Sequence, residues 1–193
     1  MKESLFIAQP IEGGYTWTLA SRTGDILREV VDAYGPRDMS YTLLGVEFAA
    51  DGPQIWYPGG GRRVAIQLSR SAMDSLELAI YQLAHECVHL LAPSGGRVAP
   101  VLEEGLATAF AQDYVTRTVG PVGVTSVRYA SAAYDVRELL AIDGDSIRKL
   151  RQIEPAFYKM GPDAFGKAGL TGVPSALRDR LLMPFYAYMT DQV

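Results

Sequence analysis

The two histidines of this 193-residue chain lie four positions apart, in His85-Glu86-Cys87-Val88-His89. The residues around them are mostly apolar: Ala79, Ile80, Leu83, Ala84, Val88, Leu90 and Leu91. That pattern predicts a helix buried on most of its surface. Such a helix carries two imidazoles and a carboxylate into low dielectric, where an uncompensated charge is costly. Whatever packs on this helix must therefore satisfy His85, Glu86 and His89 together, which constrains the fold more than any other feature. Residues i and i+4 share a helix face, with Cβ atoms about 5–6 Å apart. Two imidazoles there can converge on one tetrahedral cation, and Zn2+ accepts such a pair with a carboxylate and a water. Glu86 lies about 100° round the helix from His85. It can reach a water beside the cation as a general base without being a ligand.

A third ligand is needed, and the next acidic residues are Glu103 and Glu104, in Val101-Leu102-Glu103-Glu104-Gly105-Leu106-Ala107-Thr108. The 14 residues between His89 and Glu104 leave room for a turn at 93–96 to fold a second helix back over the first. Acidic residues are also favoured at a helix N-terminus by the dipole alone. Adjacent carboxylates cannot both point the same way, so one of the pair is read as a ligand and the other as surface or substrate-facing.

The chain changes character near residue 70. Before it, short β-type runs alternate with turn signals. Residues 5–8, 15–20, 41–49, 55–57 and 63–68 read as strands, and 25–34 as a helix ended by Gly35-Pro36. Gly13-Gly14 and Gly59-Gly60-Gly61 read as turns; the latter lacks the Lys-Ser/Thr of a phosphate loop. After residue 70 the chain reads as helices. One starts at a cap on Asp74 or Ser75 and runs to about Leu91, and a second runs from Pro100 to about Thr116. Further helices cover 127–142, 146–153, 156–160, 163–168 and 175–189. The expected architecture is α+β: a small N-terminal mixed sheet, then a mostly helical half, folded as one unit over residues 1–193.

Composition narrows the function classes. A net charge of −4 with no basic cluster argues against a nucleic-acid partner. No apolar run reaches the roughly 18 residues of a membrane helix, and the first residues carry no evident signal peptide. The single cysteine, Cys87, forbids an intramolecular disulfide and is read as a small core residue. A cytoplasmic location is expected. Nothing in the sequence sets an oligomeric state.

His85-Glu86-x-x-His89 followed by Glu104-Gly105-Leu106-Ala107-Thr108 resembles the gluzincins, zinc metallopeptidases of the thermolysin and aminopeptidase N type. The resemblance covers about residues 63–140, and the short chain suggests a compact, minigluzincin-type version with a zincin-like fold. Aligning Glu103-Glu104-Gly105-Leu106-Ala107 with the family's N-E-G-F-A segment implies Glu104 as third ligand, Glu103 in the Asn position, and Thr108 as support for a histidine ligand. Tyr129-Ala130-Ser131-Ala132-Ala133 is similar in placement to the family's Y-x-K-G-A segment, without its Lys-Gly. That implies Tyr129 as donor to the tetrahedral intermediate, with Tyr134 and Tyr158 in reserve. Residues 63–68 correspond in position to the family's edge strand beside the cleft, with which a substrate strand pairs. Ser71-Ala72-Met73-Asp74-Ser75 faintly resembles the aminopeptidase G-A-M-E-N segment but lies too near His85 to fill its role. The expectation is a zinc-dependent peptidase with Glu86 as general base acting on a peptide or protein substrate. The competing expectations are a catalytically silent metal-binding module for a peptide or protein partner, and an interaction domain in which the motif is accidental.

Overall fold

The sheet that frames the cleft is three strands wide, in the order β3-β5-β4. This computed structural model describes residues 4–59, 61–121, 123 and 126–188. β3 (Thr42–Ala49) runs parallel to β5 (Arg63–Ser69), and β4 (Gln54–Trp56) runs antiparallel to β5 on its other side. Val64, Ile66 and Leu68 are fully buried on one face of β5, and Ala65 and Gln67 are buried on the other. A strand covered on both faces belongs in the middle of a sheet. Residues 63–68, expected at the edge, pair on both sides and are central; β3 and β4 are the edges, and β4 is the one that lines the cleft. Buried Gln67 is satisfied across the sheet: it donates to Glu47 (2.7 Å) and accepts from Gln54 (2.7 Å).

The N-terminal strands are smaller than expected. Only β1 (Pro10–Ile11) and β2 (Gly14–Tyr15) pair, as an exposed two-residue hairpin turning at Gly13 (φ 83°). Residues 5–8 form no strand; of 15–20 only Tyr15 is in a strand, and Leu19 and Ala20 already belong to a helix. That helix, α1 (Leu19–Tyr34), begins six residues before the expected Asp25. Thr18 and Ser21 close a capping box on its first turn, and Leu19, Thr23, Ile26 and Val30 line its buried face. The polar run Ser21-Arg22-Thr23-Gly24 hid this start from a reading based on apolar spacing.

The helical half follows the sequence closely. A 3₁₀ turn (Arg70–Asp74) leads into α2 (Leu76–His89), capped by Ser75, which accepts from the Leu78 N–H at 3.1 Å. α3 (Val101–Thr118) crosses α2, and α4 (Val127–Ile142) crosses α3. α5 (Ser146–Ile153) and α6 (Asp163–Lys167) flank a short 3₁₀ turn at Phe157–Lys159. The helix expected over 175–189 is split into α7 (Ser175–Leu182) and α8 (Phe185–Tyr188). Pro184 cannot continue a helix. At the break the chain pairs instead with the start of α3: Val101 donates to Met183 (2.9 Å) and Phe185 to Ala99 (2.9 Å). Met189 and Gly60 lie outside the described residues.

One apolar cluster runs from Leu5 and Ile26 through Ile66, Leu83, Leu106 and Leu139 to Leu181. Arg151 is buried within it. Its guanidinium donates to the carbonyls of Tyr34 (2.8 Å), Gly35 (3.0 Å), Pro36 (2.8 Å) and Leu91 (3.4 Å). One side chain thus ties the ends of α1 and α2 together. No helix among the described residues is long and apolar enough to cross a membrane.

Candidate metal centre

Three helices supply the side chains: α2 carries His85, Glu86 and His89, α3 carries Glu103 and Glu104, and α4 carries Tyr129 near its start. α2 is held to the sheet by Gln82, whose amide oxygen accepts from the Ser69 N–H at 2.9 Å. α3 and α4 approach so closely that a Cβ on Gly105 would sit 2.3 Å from the Ala132 carbonyl oxygen. Glycine is required there by that contact, and it brings Glu104 and Tyr129 to the same side of the cleft.

Helical spacing brings the rings of His85 and His89 to 5.1 Å between centroids. The Glu104 carboxylate faces both, with 3.3 Å from Oε2 to His85 Nε2 and 3.8 Å from Oε1 to His89 Nε2. One ligand atom from each of His85, His89 and Glu104 lies within 4.8 Å of the other two. The structure thus brings together the three residues read as ligands, with Glu104 the one of the acidic pair that faces both Nε2 atoms.

Glu103 occupies a place the sequence did not suggest. It is 2% exposed, neither surface nor substrate-facing, and its Oε1 accepts from His89 Nδ1 at 2.8 Å. The carboxylate can only accept, so Nδ1 carries the proton and Nε2 is the atom turned toward Glu104. This is the histidine partner expected of Thr108. Thr108 is fully buried, and its hydroxyl makes no hydrogen bond with either ring. An imidazole has two polar sides, so adjacent carboxylates pointing in different directions serve the same ring.

Burial and charge act against each other here. Burial lowers the proton affinity of His89, but Glu104 and then Glu103 outweigh it and raise its pKa to about 10. Burial pushes the Glu104 carboxyl up, while the neighbouring His89 and His85 bring it below the usual carboxylate range. Glu86 is 4% exposed and its pKa is raised, chiefly by burial, against the lowering effect of the two imidazoles. Burial, with Glu104 and Glu86 nearby, also raises the Tyr129 phenol, so it stays protonated.

The centre opens into a cleft of about 550 Å³. One side is edge strand β4 with Tyr57, whose hydroxyl accepts from the Gly95 N–H at 2.9 Å. Tyr129 also lines the cleft; its ring lies 5.9 Å from His85 and 4.7 Å from Phe185. Tyr134 is 62% exposed, and neither it nor Tyr158 lines the cleft. Tyr81 does, 6.4 Å from His85. It was missed in the sequence, although its place one turn before His85 puts it on the ligand face. Cys87 is fully buried and absent from the cleft lining.

No protein-family model, curated protein or solved structure matches the chain. The functional reading therefore rests on the residues and their arrangement.

Proposed function

We propose that this chain is a zinc-dependent peptidase of the gluzincin type. The observation that carries the reading is the convergence of His85, His89 and Glu104 within 4.8 Å, in a cleft that Glu86 and Tyr129 also line. Two imidazole nitrogens and one carboxylate are a donor set of catalytic zinc sites, which keep a fourth position open. Glu103 on His89 Nδ1 supports the fit, because a ligating histidine usually gives its other ring proton to a carboxylate or carbonyl. His85, His89 and Glu104 would hold the ion. When bound, zinc supplies Lewis acidity that acidifies water and polarises a carbonyl.

The remaining roles belong to this chain. Glu86, with its proton affinity raised by burial, takes a proton from the attacking water and passes it to the leaving amine. Tyr129, protonated at neutral pH, donates a hydrogen bond to the oxygen that gains charge as the carbonyl carbon becomes tetrahedral. The open side of β4 offers main-chain groups to an extended peptide. The single unpaired thiol of Cys87 is in keeping with a reducing, cytoplasmic setting.

The test is Glu86→Gln. The variant should keep one equivalent of zinc and lose about 10²–10⁴-fold in peptide hydrolysis. A zinc-loaded Glu86→Gln protein that cleaves a peptide library as fast as the parent would overturn the reading. So would a purified parent that binds no zinc.

A further inference from the structure

The three acidic residues lining the cleft are all committed to the centre. Glu104 faces both imidazoles, Glu103 accepts from His89, and Glu86 lies beside them. No carboxylate is left among the described lining residues to receive a substrate ammonium. Away from the centre the lining is neutral, with Gln54, Tyr57, Ser94 and Ser126, apart from one cation, Arg97. The Arg97 guanidinium lies 5.1 Å from the centre of the Tyr158 ring, and the Lys159 ammonium lies 5.6 Å from the same ring. Neither cation forms an ion pair among the described residues. The hydrogen bonds Arg97 makes are long, 3.4 Å to the Ser94 carbonyl and 3.5 Å to the Tyr158 hydroxyl, and both come from one terminal nitrogen. An arginine has five N–H donors, so most of the fork is free for another acceptor. Stacking on Tyr158 restricts the side chain without neutralising it. In a chain of net charge −4, Arg97 is an unneutralised positive charge on the wall of the cleft, with the Lys159 ammonium outside the lining.

We propose that Arg97 binds a carboxylate of the substrate, so that the cleft selects peptides bearing one. This rests on the peptidase reading and adds a substrate class to it. A planar guanidinium pairs with a carboxylate through two parallel N–H···O bonds. The carboxylate is either the α-carboxylate of a peptide C-terminus or the side chain of an Asp or Glu residue.

The experiment compares matched peptides: free acid against C-terminal amide, and internal Glu against Gln. For each pair kcat/KM is measured with the zinc-loaded parent, with Arg97→Gln and with Arg97→Lys. Equilibrium binding of the same peptides is measured by fluorescence polarisation on the Glu86→Gln protein, with and without Arg97→Gln. The parent should favour the carboxylate form of at least one pair by roughly five- to tenfold. That ratio should fall toward one in Arg97→Gln, stay partly intact in Arg97→Lys, and shrink as salt is raised. The pair that responds tells a terminal from a side-chain carboxylate. Equal handling of both members of each pair by the parent would overturn the inference and leave the peptidase reading standing. So would a preference that Arg97→Gln leaves unchanged. Preferential binding of the carboxylate form without cleavage by the parent would support the inference and remove the peptidase reading. No binding and no cleavage of any peptide would overturn both.

Discussion

Gly105→Ala is the most informative single substitution, because one added methyl separates two opposing effects. In an ordinary exposed helix the change stabilises by about 0.5–1 kcal/mol. At this crossing the new Cβ would lie 2.3 Å from the Ala132 carbonyl oxygen, 2.7 Å from its carbon and 2.8 Å from Val136 Cγ2. Ordinary contact begins at 3.4 Å, so α3 and α4 must part by about 1 Å. Backbone cannot rotate aside as a side chain can, which puts the overpacking cost near the upper end of about 1–3 kcal/mol. Subtracting the propensity gain leaves a net loss of about 2 kcal/mol. For a chain of this size that is roughly 4–8 °C in Tm. Tyr129 lies three residues before Ala132 on α4, so the same displacement carries its phenol away from His85. Peptide hydrolysis should then fall more than zinc affinity, because the three ligands sit on α2 and α3. Urea titrations of parent and variant with matched m-values measure the first effect, and zinc titration beside kcat/KM measures the second. A Gly105→Ala protein at least as stable as the parent would show that propensity governs this position and that the close crossing does not.

Glu103→Gln should retain the fold and bind zinc about tenfold more weakly, and Glu103→Ala should lose up to about 100-fold. Unchanged affinity by competition with a chelator would refute the support given to His89. The raised pKa of His89, about 10 against an ordinary 6.5, gives a signed pH dependence. In the metal-free protein its cation stabilises the fold fully below 6.5, and that contribution is lost as pH rises through about 10. Zinc must displace the same proton, so its apparent affinity should climb by about tenfold per pH unit across that interval. Calorimetry in buffers of different ionisation enthalpy should show about one proton released from His89 per zinc, and an affinity flat between pH 7 and 9 would contradict it. Arg151→Met should cost about 3 kcal/mol or more, because four carbonyls at the ends of α1 and α2 lose their donor. Arg151→Lys should recover only part of that in urea melts, since an ammonium cannot span the set.

The site was largely legible in the sequence because helical periodicity carries three-dimensional information. His85, Glu86 and His89 could be placed on one buried helix from spacing alone, and α4 and α5 begin and end where capping and apolar rhythm put them. What failed were features set by tertiary partners. The central place of β5 is set by its pairing with β3 on one side and β4 on the other, whereas Arg63-Val-Ala-Ile-Gln-Leu68 alternates polar and apolar positions only in part and so does not show it. The edge expected there comes from the family resemblance, which matches this segment by its position just before α2. The sequence leaves Glu103 at the surface or facing substrate, because adjacent carboxylates cannot both point the same way, but the His89 ring offers a second nitrogen. α1 was shortened because a capping box of Thr18 and Ser21 has no apolar signature. Arg97 shows nothing in sequence beyond a charged loop residue, and only the fold sets it on the cleft wall.

The pairing of Met183 and Phe185 with Ala99 and Val101 links the latest described stretch of the chain to the first turn of the helix that bears both glutamates. A nascent polypeptide that has emerged only as far as α7 already contains every donor atom of the centre. It lacks the clasp on that first turn and the Phe185 ring beside Tyr129. During synthesis the donor atoms are thus made before the support that seats them, so the centre can be completed only once residues 183–185 have emerged.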